Sequence, residues 1–184
     1  MKTTPSINRS VWTLIFLITI TILFADAARA TTLFSVTTSG ELVRFDSATP
    51  GTLVTVGPIS GLQGGETVLG IDVRPATGQI YVLGSTGRLY ILNRTTAVAT
   101  FAASVSTALN GTAFGVDFNP TVDRLRVVSN TGQNLRINPN DGVTIVDGAI
   151  NGPTTSVDAG AYINNFNGST TTTLFDISAA TDTI

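Results

Sequence analysis

The chain has 184 residues, with no cysteine, no histidine and a formal net charge of −2. Without cysteine there is no disulfide to brace the fold and no thiolate nucleophile or ligand. Without histidine the commonest general base and transition-metal ligand are missing, and ten basic residues against twelve acidic ones make no nucleic-acid footprint.

The N-terminus reads as a secretory signal peptide over residues 1–30. Lys2 and Arg9 precede an apolar run from Val11 to Ala25, and Ala28-Arg29-Ala30 puts small residues where a signal peptidase reads them. The run contains Thr13, Thr19 and Thr21 and is shorter than the roughly 18–20 residues of a spanning helix. Cleavage after Ala30 would leave one domain, residues 31–184, with seven Arg, no Lys and eleven acidic residues, a formal charge of −4. No second apolar stretch of that length follows. The expected location is therefore the periplasm or the cell exterior, with no membrane span after cleavage.

Beyond the signal the sequence repeats itself. Gly70-Ile71-Asp72-Val73-Arg74-Pro75 returns as Gly115-Val116-Asp117-Phe118-Asn119-Pro120, 45 residues later. Ile80-Tyr81-Val82-Leu83 matches Leu125-Arg126-Val127-Val128, and Ser85-Thr86-Gly87 matches Asn130-Thr131-Gly132. After one inserted residue, Leu89-Tyr90-Ile91 matches Leu135-Arg136-Ile137. Partial copies flank these units: Leu33–Val36 with Ser39-Gly40 and Leu42-Val43 ahead, and Leu174-Phe175-Asp176-Ile177 behind.

Each full unit predicts four short strands. They fall at about Leu69–Val73, Gln79–Gly84, Leu89–Leu92 and Ala97–Ala102, and again at Phe114–Phe118, Arg124–Ser129, Leu135–Asn138 and Val143–Asp147. Val, Ile, Leu, Phe and Tyr fill them, and Gly, Pro, Asn and Asp close them with turn chemistry. The segment Gly57–Gly65 has no Lys-Ser/Thr pair and no helix after it, so it reads as a link between units rather than a phosphate loop.

Four strands at a spacing of about 45 residues are the signature of a propeller blade. The expected fold is all-β, a partial β-propeller over 31–184 with roughly three and a half blades. The first unit enters at its second strand and the last stops soon after its second. Propellers close with about four to eight blades. The expectation is a C-terminally truncated form of a longer domain, with an open blade edge available for self-association.

The segments GIDVRPATGQIYVLGSTGRLYIL and FGVDFNPTVDRLRVVSNTGQNLRINPNDG resemble the bacterial family called domain of unknown function 4394. The resemblance runs over roughly Thr32 to Ile184. It implies an exported β-propeller whose pattern continues past Ile184, and it carries no activity and no catalytic residues.

Two groups of side chains are candidates for a site. Asp72 and Asp117 hold equivalent places in the first strand of their units, nearest a propeller's channel, where carboxylates could bind Ca²⁺. The plainer reading has each carboxylate accept backbone N–H groups in the turn ahead of Pro75 or Pro120. Arg124, Arg126 and Arg136, with Tyr81 and Tyr90 at matching positions one unit earlier, would suit an acidic sugar: a fork for the carboxylate and an aromatic plate for the ring. Their plainer reading is packing and ion pairs with Asp123 or Asp141.

No nucleophile with a base is recognisable. The expected role is a non-enzymatic binding or scaffold module at the cell envelope, with an envelope protein or polysaccharide as partner and no cofactor. The alternative is a Ca²⁺-assisted propeller enzyme acting on a small metabolite or glycan.

Overall fold

The computed structural model describes residues 30–150 and 154–181. Residues 1–29, all of the expected signal peptide except Ala30, lie outside the described residues. Among those described, no helix is long and apolar enough to cross a membrane.

The described chain is all-β, built as four antiparallel sheets that follow one another in sequence. Sheet I holds β1 (Thr32–Val36), β2 (Glu41–Asp46) and β3 (Val54–Pro58). Sheet II holds β4 (Val68–Arg74), β5 (Gln79–Gly84), β6 (Arg88–Leu92) and β7 (Ala99–Ser104). Sheet III holds β8 (Phe114–Asn119), β9 (Arg124–Ser129), β10 (Asn134–Ile137) and β11 (Thr144–Val146), and sheet IV holds β12 (Ala159–Tyr162) and β13 (Leu174–Ile177). Among the described residues no strand of sheet IV pairs with sheet I, so the series is open.

The strands fall close to where the residue pattern puts them. The fourth strand of sheet II starts at Ala99 rather than Ala97 because Ala97 sits at φ 56° in the preceding turn. There its N–H donates to the Asn93 carbonyl.

Neighbouring sheets bury each other's faces, and β5 shows how. Ile80 and Val82 join Leu42 of sheet I in one cluster, while Tyr81 and Leu83 join Phe118, Leu125, Val127, Leu135 and Ile137 of sheet III in another. Side chains alternate faces along a strand, so a strand covered on both sides reads as an unbroken apolar run. Each such Val, Leu or Ile contributes about 1.5–3 kcal/mol through burial.

The first strands of successive sheets come closest. A Cβ on Gly70 would lie 2.7 Å from Val116 Cγ2, and one on Gly115 would lie 2.5 Å from the backbone nitrogen of Gly160. The glycine that opens the repeated motif is therefore what lets one first strand lie against the next. At the far edge the sheets are joined by their links. Ser60, in the Gly57–Gly65 segment, exchanges backbone bonds with Ala97 and Ala99, and Ser106 donates to the Gly142 carbonyl one repeat later.

The pairing register corrects one alignment made from the residues. Leu83 lies opposite Leu89, and its counterpart Val128 lies opposite Asn134. The offset thus stays at 45 through the third strand, with no inserted residue. Tyr90 corresponds to Leu135, and Arg136 corresponds to Ile91.

Candidate functional site

The motif Gly-x-Asp places Asp72 on β4 and Asp117 on β8 with the same register. Asp72 is opposite Tyr81, and Asp117 is opposite Arg126. Asp72 Oδ2 accepts the backbone N–H of Phe118 at 2.7 Å, and Asp117 Oδ2 accepts that of Tyr162 at 2.7 Å. These two donors are in the first strand of the next sheet rather than in the turns before Pro75 and Pro120, although Asp72 also takes the Val73 N–H of its own strand. Each aspartate thus ties its sheet to the one that follows. The series stops at β12, where Ala161 occupies the position, opposite Phe175. Asp158 instead accepts the Ala179 N–H at 2.8 Å.

The two carboxyl groups also bond to each other. Burial raises the Asp117 carboxyl first, and the Asp72 charge adds to it, pushing it up to about 8. Asp117 thus stays largely protonated at neutral pH beside the Asp72 carboxyl. Burial raises Asp72 as well, offset by the N–H groups of Phe118 and Val73, by Asp117 and by the Asn165 side chain. The pair therefore holds one proton between two acids, as closely spaced carboxyls do.

A Ca²⁺ ion at Asp72 and Asp117, the less favoured reading of the pair, would have to share oxygens that already accept backbone N–H groups. A calcium ion takes about six to eight oxygens. Here both Oδ2 atoms are occupied by backbone N–H groups. Among the described residues no group of three or more carboxylates is placed to hold a metal ion.

The arginine and tyrosine candidates are separated by the register. Tyr81 and Tyr90 lie on opposite faces of sheet II and are 4% and 1% exposed. Tyr81 meets Phe118 edge-on at 5.3 Å and accepts from Arg74 Nη1 at 3.2 Å. Tyr90 donates to Glu66 and accepts the Gln63 N–H at 3.1 Å. Neither ring presents a plate to a ligand.

Arg126 and Arg136 do come together, on the face of sheet III that meets sheet IV, but Asp147 takes both. Arg126 Nη1 reaches Asp147 Oδ2 at 2.6 Å and Arg136 Nη2 reaches Oδ1 at 2.7 Å. Arg126 also donates to Asn134 and, through Nε, to the Tyr162 hydroxyl at 3.1 Å. Arg124 turns back onto the carbonyls of Val122 and Asp123. The ion-pair partner is thus Asp147, in place of the expected Asp123 or Asp141.

Asp123 serves Arg74, a residue the sequence did not single out. Arg74 is 7% exposed and divides its guanidinium among Asp123, Tyr81 and Asn140. The hydrogen bonds from Arg74 hold the Asp123 carboxyl below its ordinary range. One signal in the repeat could have found it. Asp123 stands 45 residues after Gly78 and adopts the same left-handed turn, φ 51° against 69°. A side chain where the repeat has glycine needs a reason, and the grip of Arg74 supplies it.

No curated protein matches the chain. The model of the family described as "Domain of unknown function (DUF4394)" matches residues 41–184, which is most of the sequence and includes both Gly-x-Asp motifs, and the chain belongs to that family.

Proposed function

We propose that the chain is an exported β-propeller-like module, its four-stranded sheets acting as blades, with a non-enzymatic binding or scaffold role at the cell envelope or outside the cell. Its partner is an envelope protein or a surface polysaccharide. The observation that carries this reading is where the motif's acids go. Asp72 and Asp117 spend their oxygens on the neighbouring sheet's backbone and on each other. Asp123 and Asp147 spend theirs on arginine. Export rests on the charged, apolar and small-residue order of residues 1–30.

The test uses the protein recovered from its export compartment. The reading expects retention on an envelope fraction that is unchanged by a chelator, and no turnover of glycans in that fraction. Chelator-sensitive turnover would overturn it. So would recovery of the protein in the cytoplasm alone.

A further inference from the structure

Of the seven arginines beyond residue 30, three are held by aspartate: Arg74, Arg126 and Arg136. Arg88 lies over the Phe101 ring at 5.3 Å, and Arg124 bonds carbonyls of its own turn. The guanidinium groups of Arg44 and Arg94 have neither a hydrogen-bond nor an ion-pair partner among the described residues. Both line the same cavity, a groove of about 570 Å³ between sheet I and the turn that joins β6 to β7.

The floor of that groove is apolar and fixed. Phe34 and Arg44 are opposite each other in the β1–β2 register and share a face. Phe34 and Val56 also pack on the core shared by sheets I and II. Thr32, on the same face as Phe34, and Thr95 also line the groove, and no carboxylate is among its lining residues.

The matching clefts elsewhere are filled. Tyr81 is the counterpart of Phe34 between sheets II and III, and there Arg74 closes the cleft by binding Tyr81, Asp123 and Asn140. Between sheets III and IV the counterpart is Arg126, itself bonded to Tyr162 and Asp147. In the cleft beside sheet I, by contrast, Arg44 and Arg94 line the same groove as Phe34 and make no ion pair among the described residues, and Asp46, on the face of Arg44, gives its Oδ1 to the Ala48 N–H.

We propose that this groove binds the acidic sugar units of a uronate-containing polysaccharide. The Arg44 and Arg94 guanidiniums take the carboxylate, whose planar geometry suits their fork. The Phe34 ring takes the apolar face of the sugar, and the threonine hydroxyls bond its hydroxyl groups. The proposal rests on the binding-module reading and names its ligand class. It moves the acidic-sugar chemistry considered for Arg124, Arg126, Arg136, Tyr81 and Tyr90 to a pair of arginines whose guanidiniums have no partner among the described residues.

The experiment is calorimetric titration of the full chain with oligogalacturonate and with a neutral oligosaccharide of equal length. The expected result is binding of the acidic oligomer, weakened by added salt and reduced about tenfold or more in an Arg44→Ala/Arg94→Ala variant whose thermal unfolding is unchanged. Equal affinity for the neutral oligomer would overturn it, as would undiminished binding by the variant. Absence of binding at millimolar oligogalacturonate also overturns the groove. If the double variant still binds the envelope fraction as the wild type does, the groove proposal falls while the binding-module reading stands.

Discussion

The Asp117 carboxyl is raised to about 8 by burial and by the charge of Asp72, the residue 45 positions earlier on the first strand of the preceding sheet. Each also grips the backbone of the sheet that follows its own. A proton kept this way makes stability depend on pH with a definite sign. The Asp117 carboxyl titrates at about 8 when folded and near 3.9 when unfolded. The folded state then binds the extra proton across that window. Stability is full at acid pH, falls as pH rises from about 4 to about 8 and levels off above it. Asp117→Asn keeps a donor for Asp72 and an acceptor for the Tyr162 N–H without the charge. Urea midpoints should show this variant above the wild type near pH 9, with the gap closing towards pH 5. A constant gap across that range would place the proton elsewhere.

Removing the acceptor from the first of the two ties should open a different seam. Asp72→Ala leaves the Phe118 N–H without its 2.7 Å partner. An orphaned backbone donor costs about 1–3 kcal/mol. Amide exchange resolves the site: the Phe118 amide should lose protection, whereas the Tyr162 amide, held by Asp117, should lose much less. Asp72→Asn retains an acceptor and should stay close to wild type in both measurements.

The repeat was legible because the second strands of sheets II and III are covered on both faces and their turns are built from Gly, Pro, Asn and Asp. Ile80–Leu83 and Val127–Val128 carry that pattern openly. The register of the third strand was not legible. Leu89-Tyr90-Ile91 looks most like Leu135-Arg136-Ile137 in residue type, whereas the ladder pairs by position, Leu89 with the place of Asn134. A slip of one residue exchanges the two faces of a strand, and that slip set Tyr90 beside the arginines. Partnerships between sheets were hidden for another reason. Asp147 holds Arg126 from 21 residues away and Asp123 holds Arg74 from 49, and neither separation carries a periodic signal. The equivalence of Asp72 and Asp117 was visible, but the donors they bind belong to the next sheet.

The Arg74–Asp123 pair supports a prediction of opposite pH sense. Hydrogen bonds from Arg74 depress the Asp123 carboxyl, so its contribution is present above pH 4 or so and disappears as acid protonates it. Arg74→Ala would leave Asp123, Tyr81 and Asn140 without their shared donor. Removing one partner of a buried pair costs about 3–5 kcal/mol. Because the Asp123 side chain is 34% exposed, solvent screening should bring the loss to about 2–3 kcal/mol. The variant should also lose less stability than wild type between pH 6 and pH 3, a range about the unfolded Asp value. Equal acid slopes in wild type and variant would mean that the pair contributes no electrostatic stability.

The last prediction concerns the glycines that bring the first strands together. A methyl group at Gly115 would meet Gly160 N at 2.5 Å and the Ala159 carbonyl carbon at 2.8 Å, both backbone. At Gly70 the nearest atoms belong to the Val116 side chain, at 2.7 and 2.8 Å. Backbone has no rotamer to change, so Gly115→Ala must push β8 and β12 apart, loosening the Asp117 tie to Tyr162 at the same time. Overpacking of this kind costs about 1–3 kcal/mol, and Gly115→Ala should stand at the upper end with Gly70→Ala below it. Gly64 has open space around its Cβ position and no left-handed φ. Gly64→Ala should therefore be neutral or stabilising, by up to about 1 kcal/mol through the unfolded chain. Chemical denaturation of the three variants tests the order. If Gly115→Ala proves as mild as Gly64→Ala, the close stacking of first strands is not what the repeated glycine provides.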